Sequence, residues 1–222
     1  MKKGNISIFV PHIGCPQKCS FCNQNTITGS SSAPTLVDVK HAVETALLKT
    51  DYEYEIAFFG GSFTAIERVY MLSLLEAAKS YVDSGRIKGI RCSTRPDAID
   101  DEVLNLLKAY GVTAIELGAQ SMNDYVLSAN LRGHTADDVK KASALIKKYG
   151  FELGLQMMTG LYLSSPETDI ESAKEIIKLN PDTVRIYPTV TLKNTYLEKL
   201  MREGKYAPSS IENTISICAQ LV

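Results

Sequence analysis

Three closely spaced cysteines are the most chemically distinctive feature of this 222-residue sequence. Cys15, Cys19 and Cys22 form a CxxxCxxC pattern. Three thiolates on one tight loop can bind three corners of a cubic 4Fe–4S cluster. Because no fourth cysteine lies nearby, one iron would stay open to an exogenous ligand. The pattern therefore predicts a metal site at these cysteines, built around an iron–sulfur cluster.

Other uses of the cysteines stay open at this point. A structural zinc site prefers four protein ligands and paired CxxC knuckles, and His12 is the candidate for a fourth ligand. A ferredoxin-like electron carrier would need a fourth cysteine close by. A non-catalytic zinc-binding module is thus the alternative from another class of protein. The two isolated cysteines, Cys92 and Cys218, are expected to be ordinary side chains, since free cysteine is commonly buried.

Polar side chains interrupt several otherwise apolar runs; they are Glu116, Gln120, Gln156 and Arg185. A polar group that points into an apolar interior must find a partner or a ligand. For Glu116 and Arg185, substrate contact and a structural ion pair are both open. No role is assigned to His12 or His134, whereas His41 is expected to be structural because it lies among surface polar residues.

The elements that must position these residues follow a regular alternation. Six apolar runs predict strands at residues 6–10, 54–59, 90–94, 113–119, 151–158 and 183–187. The segments between them carry apolar residues at helical spacing, as at Leu36, Val39 and Val43. This pattern predicts an α/β fold, an open, partial (β/α)6 TIM-like barrel with parallel strands and outer helices. Reactive groups of such barrels gather at the carboxyl ends of the strands.

Local signals fix several helix boundaries. Thr35 and Thr135, each followed three residues later by aspartate, resemble capping boxes, and Ser165 precedes a proline at the first helical position. Gly111 and Gly150 stand where a glycine is expected just past the end of a helix. The sequence therefore indicates where three helices begin and two end.

The long segment 11–34 breaks the alternation, and a loop of that length in a compact domain is usually functional. We expect residues 1–205 to form the barrel, with the iron–sulfur loop at 11–34. Residues 206–222 are expected to start a C-terminal extension that is cut short, because the predicted helix from Ile211 stops while still apolar.

Composition narrows the class of protein. Lysine and arginine total 24 against 25 aspartate and glutamate, so the net charge of -1 provides no global field for a polyanion. With 45% hydrophobic residues the chain is neither disordered nor collagen-like. Apolar runs are far shorter than a membrane span, and the N-terminus lacks a signal-peptide pattern. We expect a cytoplasmic protein without a membrane segment.

The cysteine loop after the first strand, with Phe21 just before the third cysteine, resembles the signature of the radical S-adenosylmethionine (SAM) superfamily. Further stretches are similar to the radical SAM domain of the elongator catalytic-subunit family, which modifies wobble uridines in tRNA. They are Thr94-Arg-Pro-Asp97, Glu116-Leu-Gly-Ala-Gln-Ser121, Arg132-Gly-His-Thr135, Gln156-Met-Met with Gly160-Leu161, Arg185-Ile-Tyr-Pro-Thr189 and Gly204-Lys-Tyr-Ala-Pro208. The oxygen-independent coproporphyrinogen oxidases share the loop and are the second comparison.

The resemblance implies a 4Fe–4S cluster and SAM as cofactors. It implies cofactor-binding roles for Phe21, Gly60, Gly61, Ser62, Ser93, Gln120, Arg132 and Gln156. The glycines allow close backbone approach to a ligand, and the guanidinium fork of Arg132 suits the SAM carboxylate. Substrate-binding roles are expected for Glu116 and Arg185, and no catalytic residue is assigned.

The sequence also departs from the elongator pattern. That family has a longer spacing between its first two cluster cysteines and a C-terminal acetyltransferase domain. Ser93 stands where an acidic residue is often found, and Gly160-Leu-Tyr-Leu163 replaces a Gly-Leu-Pro-Gly turn. These departures bear on the substrate more than on the cofactor chemistry.

The implied reaction is one-electron reduction of SAM to methionine and a 5'-deoxyadenosyl radical, which abstracts hydrogen from a substrate. The hard chemistry belongs to the cofactors, while the barrel binds, orients and excludes solvent. The leading substrate is an RNA base in tRNA, and a small molecule such as a porphyrinogen is the alternative. A flavodoxin- or ferredoxin-like protein is expected as the one-electron donor, and the cluster is expected to be oxygen-sensitive. No oligomeric state is predicted.

Overall fold

The computed structural model describes residues 2–11, 15, 18–23, 32–49 and 51–222. Within these ranges one sheet contains strands β1 (Lys2–Val10), β2 (Tyr52–Gly60), β3 (Gly89–Thr94), β4 (Val112–Gln120), β5 (Glu152–Thr159) and β6 (Thr183–Pro188). The strands lie in chain order and every neighbouring pair is parallel. The sheet curls into a half-barrel, which confirms the predicted partial barrel.

The described helices are α1 (Leu36–Leu47), α2 (Arg68–Asp83), α3 (Asp101–Ala109), α4 (Asp124–Ala129), α5 (Ala136–Lys148), α6 (Pro166–Lys178), α7 (Tyr196–Arg202) and α8 (Ile211–Leu221). The predicted caps of α1, α5 and α6 are confirmed at Thr35, Thr135 and Ser165. Gly111 and Gly150 have φ angles of 79° and 80°, a left-handed conformation that glycine adopts without strain. These residues therefore end α3 and α5 as expected.

Two faces of the sheet have different environments, as the side chains of β5 show. Leu153, Leu155 and Met157 are fully buried in the core, whereas Gln156 and Met158 line a cavity in the barrel interior. Successive side chains of a strand point to opposite faces, so one face supplies the core and the other the site. Burying each large apolar side chain contributes about 1.5–3 kcal/mol.

The C-terminal segment packs onto the barrel. Helix α8, expected from the sequence, contacts α6, β5 and β6. The hydroxyl of Tyr206 donates a hydrogen bond of 2.9 Å to the carbonyl of Gly160, at the end of β5. Among the described residues, no helix combines the length and apolar character needed to cross a membrane.

Candidate active site

A cavity of about 550 Å³ lies at the carboxyl ends of the strands. Its wall includes these residues singled out from the sequence: Phe21, Cys22, Gly60, Ser93, Gln120, Gln156 and Arg185. The rest of the wall is mostly apolar, with Phe9, Phe59, Met158, Tyr187, Pro188, Val190 and Leu192. A volume of this size, apolar with a few convergent polar groups, is typical of a small-molecule site.

One of the three cysteines reaches the wall of this cavity. Cys22 forms part of its wall, and its amide donates to the carbonyl of Cys19 at 3.1 Å. The Sγ of Cys15 is 3.8 Å from the hydroxyl of Ser62. In the described part of the chain no group of three His, Cys, Asp or Glu side chains is arranged to hold a metal ion. A 4Fe–4S cluster offers a different iron atom to each thiolate, so its ligands do not need to converge on a single metal ion. The assignment of the three cysteines as cluster ligands therefore remains a prediction.

Ser20 anchors the cysteine loop to the barrel. Its amide and hydroxyl donate to the backbone and side-chain oxygens of Asn130 at 3.0 Å and 2.7 Å. Its carbonyl accepts the amide hydrogen bond of Leu197, in α7, at 2.7 Å. Ser20 and Asn130 are both fully buried. Sequence reasoning missed this anchor, because no local signal links a loop serine to an asparagine so far along the chain.

The end of β2 approaches the end of β1 closely, and Gly60 makes this possible. Gly60 has a φ of 115°, and a Cβ at this position would lie 2.6 Å from the carbonyl oxygen of Val10. The amide of Gly61 donates to the same carbonyl at 2.8 Å. Gly60 lines the cavity, whereas Gly61 and the buried Ser62 lie outside its wall. Only glycine satisfies both the conformation and the close contact.

A bulge at the end of β4 shapes the opposite side of the site. The register with β5 shifts between Gly118 and Gln120, and Gln120 has a φ of 65°. Strained backbone of this kind clusters at functional sites. The guanidinium of Arg132 donates from Nη2 to the Gly118 carbonyl at 2.6 Å and from Nη1 to the Sγ of Cys19 at 3.0 Å.

The side chains of Gln120 and Arg132 each carry a buried polar atom that lacks a partner among the described residues: Oε1 of Gln120 and Nε of Arg132. An unsatisfied buried polar atom costs about 1–3 kcal/mol, which a bound ligand would recover. One atom needs a donor and the other an acceptor. A ligand with an ammonium and a carboxylate group, such as the methionine part of SAM, supplies both. The residues present therefore fit the cofactor that the sequence implies.

The base of the cavity is an ion-pair network centred on Glu116, which is 1% exposed. Its Oε1 accepts hydrogen bonds from Arg185 at 2.7 Å and from Arg91 at 3.4 Å, and its Oε2 accepts one from Gln156 at 2.8 Å. The guanidinium of Arg185 also lies over the ring of Phe59, 5.3 Å from its centroid. Glu116 thus orients two side chains of the cavity wall without forming part of that wall itself.

Arg91 extends the network toward the other end of the barrel. It donates to Glu55 and Glu152 at 3.0 Å each. These residues line a second cavity, of about 570 Å³, which also includes Arg185. The ion-pair network of Glu116 and Arg91 therefore lies between the two cavities. Sequence reasoning missed Arg91, although its charge between Ile90 and Cys92 is the same kind of signal that singled out Glu116.

The remaining singled-out residues are distributed as follows. His134 is buried, with Nε2 3.1 Å from the carbonyl of Ala119, and burial lowers its pKa to about 4. The neutral ring is therefore the form present at pH 7. Cys92 is fully buried, and burial raises its pKa to about 12. His41 is exposed on α1, and His12 lies outside the described residues.

A half-barrel of six parallel strands, with a CxxxCxxC loop after its first strand and a cavity at the carboxyl ends, defines the radical SAM class of enzymes. The sequence profile of the Radical SAM superfamily matches residues 9–179, and that of a Radical SAM C-terminal domain matches residues 181–222. The chain belongs to the radical SAM superfamily. A 4Fe–4S cluster and SAM are the cofactors of this family.

Named relatives refine the comparison. The chain is 33% identical over 171 residues to a tRNA uridine(34) acetyltransferase of Methanocaldococcus jannaschii, which covers 75% of this chain and 32% of that protein. It is 30% identical over 175 residues to Elongator complex protein 3 of Homo sapiens, and this alignment covers 77% of the chain and 32% of that protein. An Elp3 structure from Methanocaldococcus infernus has the same fold, with a TM-score of 0.76 and 24% identity over 100% of this chain and 54% of that one. The chain thus spans between about a third and a half of the length of these relatives.

Proposed function

We propose that this protein reductively cleaves SAM at a 4Fe–4S cluster held by Cys15, Cys19 and Cys22, and that the reaction modifies a base of tRNA. When bound, the cluster and SAM supply the 5'-deoxyadenosyl radical that abstracts hydrogen from the substrate. The observation that carries the proposal is the cavity wall, which joins Cys22 to polar side chains from β3, β4, β5 and β6.

The methionine end of SAM is assigned to the bulge of β4. The unpaired Nε of Arg132 would bind the carboxylate, and the unpaired Oε1 of Gln120 would accept from the ammonium group. Across the cavity, Gly60 allows the backbone of β2 to approach a bound ligand closely. A guanidinium held by Cys19 and Gly118 loses little freedom when it binds, which favours affinity.

The nucleoside end of SAM is assigned to the floor of the cavity. Ser93 on β3 and Gln156 on β5 both line the cavity, and β4 lies between these two strands. Glu116 accepts the amide hydrogen bond of Gln156 at 2.8 Å, so the Gln156 side chain is held in one orientation. Its carbonyl oxygen is then left to accept a hydrogen bond from the nucleoside.

The substrate side is assigned to the wall formed by β1, β2 and β6. Phe9, Phe59 and Tyr187 present aromatic rings to the cavity, and proteins recognise extruded RNA bases by stacking them on such rings. The Arg185 side chain is 35% exposed and can donate to a base carbonyl. The relative named tRNA uridine(34) acetyltransferase supports an RNA substrate.

This function assigns further partners. A flavodoxin- or ferredoxin-like protein would supply the electron, and a tRNA substrate would place the protein in the cytoplasm. The apolar part of the cavity wall excludes water from the reacting groups, which protects a radical from side reactions.

The test is anaerobic reconstitution with iron and sulfide, followed by reduction with SAM present and chromatographic assay for 5'-deoxyadenosine. Replacing Cys15, Cys19 or Cys22 by alanine should abolish both cluster assembly and product. Cys218→Ala is the matched control, because Cys218 is a partly exposed cysteine far from the site in sequence. Full cluster content in any of the three loop variants would refute the assignment.

The substrate is tested in the same assay. We expect tRNA to raise the yield of 5'-deoxyadenosine and to bind with an affinity that falls as salt rises. A porphyrinogen in place of tRNA should have no effect. Stimulation by the porphyrinogen alone would overturn the RNA assignment and leave the SAM chemistry intact.

A further inference from the structure

The guanidinium of Arg132 contacts a predicted cluster ligand directly. Its Nη1 donates to the Sγ of Cys19 at 3.0 Å, and its Nη2 is held by the Gly118 carbonyl at 2.6 Å. The β4 bulge begins at Gly118, so the position of the carbonyl is fixed by the sheet. The sheet therefore holds the Arg132 guanidinium in place, and the hydrogen bond to the sulfur does not depend on the cysteine loop alone.

Arg132 also differs from the other arginines in its charge balance. Arg95 is similarly enclosed, but both arms of its fork bind Asp97 at 2.6 Å. The pKa of Arg95 is raised first by Asp97 and, to a smaller extent, by the nearby Cys15 and Cys19. Within the described ranges, Arg132 is the arginine for which no carboxylate partner is found. Its positive charge is thus offset by no carboxylate and lies against Cys19.

We propose that Arg132 is a positioning residue that acts through Cys19 to raise the reduction potential of the cluster. The inference rests on the proposed function, since it requires Cys19 to be a cluster ligand. Reduction adds one electron from the external donor to the cluster and breaks no bond, and Arg132 keeps all its protons. A nearby positive charge and a hydrogen bond to a ligand sulfur both favour the reduced, more negative cluster.

The consequence for the reaction is that the donor reduces the cluster more readily. The same guanidinium still has Nε available for the SAM carboxylate. Arg132 would therefore contact the cluster ligand and the cofactor at once, a role that goes beyond carboxylate binding. The two roles are separable, because the potential can be measured without SAM.

The experiment is a redox titration of the reconstituted protein without SAM, in which the reduced cluster is followed by electron paramagnetic resonance. Arg132→Gln removes the charge and the fork, and Arg132→Lys keeps the charge alone. Arg68→Gln is the control, because Arg68 is exposed on α2 and paired with Glu102. We expect Arg132→Gln to lower the equilibrium constant for reduction about tenfold, a shift of about 59 mV for one electron.

Arg132→Lys should fall between wild type and Arg132→Gln, and Arg68→Gln should match wild type. Equal midpoint potentials in wild type and Arg132→Gln, each with full iron content, would overturn the proposal. If Arg132→Gln does not hold the cluster but Arg132→Lys does, the test rests on Arg132→Lys. A midpoint potential of Arg132→Lys equal to that of wild type would then overturn the proposal. Loss of the cluster from both variants would assign Arg132 to loop assembly and also overturn it. A wild-type protein without a cluster would instead refute the proposed function.

Discussion

Replacing Glu116 by glutamine tests the ion-pair network at the base of the cavity. The substitution keeps the shape of the side chain and removes its charge. Arg91 would keep its other two carboxylate partners, Glu55 and Glu152, each at 3.0 Å. Arg185 would lose its carboxylate at 2.7 Å and, within the described residues, has no second one. The cost should therefore arise mainly at Arg185.

The magnitude follows from burial. Removing one partner of a fully buried ion pair costs about 3–5 kcal/mol. The Arg185 side chain is 35% exposed, so water compensates part of its lost partner, whereas Glu116 is 1% exposed. We expect Glu116→Gln to lower the free energy of unfolding by about 2 kcal/mol. Glu152→Gln, at a side chain 38% exposed, is the control and should cost less than about 1 kcal/mol.

The assay is urea unfolding of the cluster-free protein, followed by circular dichroism. With a denaturant slope of about 2 kcal/mol/M, the midpoint of Glu116→Gln should fall by about 1 M. The control should stay within about 0.5 M of wild type. The reasoning is that the buried Glu116–Arg185 pair stabilises the fold more than the exposed Glu152 pair. It would be refuted if the control midpoint shifted as much as that of Glu116→Gln, or if the Glu116→Gln midpoint equalled wild type.

Three further predictions concern other parts of the site. Burial lowers the pKa of His134 to about 4 from the ordinary 6.5. The contribution of the neutral side chain to the free energy of unfolding is therefore complete above pH 6.5 and is lost as the pH falls toward 4. His134→Gln should reduce the loss of unfolding free energy between pH 7 and pH 4.5 by up to about 3 kcal/mol, as measured by urea unfolding at the two pH values. Gly60→Ala should lower the melting temperature more than Gly85→Ala, since both have positive φ but the added Cβ meets neighbours only at Gly60. Asn130→Ala leaves the Ser20 hydroxyl unpaired, and should cost about 1–3 kcal/mol and speed iron loss to a chelator; unchanged iron retention would contradict this role of the anchor.

The fold was predictable because its signals are local. Short apolar runs marked all six strands, and the caps at Thr35, Thr135 and Ser165 marked helix starts. Each of these signals depends on residues within one turn or one strand. The alternation of strands and helices predicts a parallel α/β sheet, and the count of six units favours a partial barrel.

The site was only partly predictable, because its geometry depends on register and on long-range contacts. Glu116, Gln156 and Arg185 were recognisable as polar residues in apolar runs, but which of them pair depends on how β4, β5 and β6 align. The bulge at Gln120 has no sequence signal, since a positive φ is uncommon for glutamine. The contact of Arg132 with Cys19 joins residues 113 apart in sequence.

The hydrogen bond between the Leu197 amide and the Ser20 carbonyl connects the cysteine loop to α7, which lies near the C-terminus of this chain. A bound cluster would stabilise the loop, and this stabilisation would extend to α7 through Ser20. Loss of the cluster, as after exposure to air, would let the Leu197 amide exchange with solvent deuterium sooner and make the α7 segment easier to cleave. Molecules damaged at the cluster would thus also be the ones most exposed to proteolytic removal.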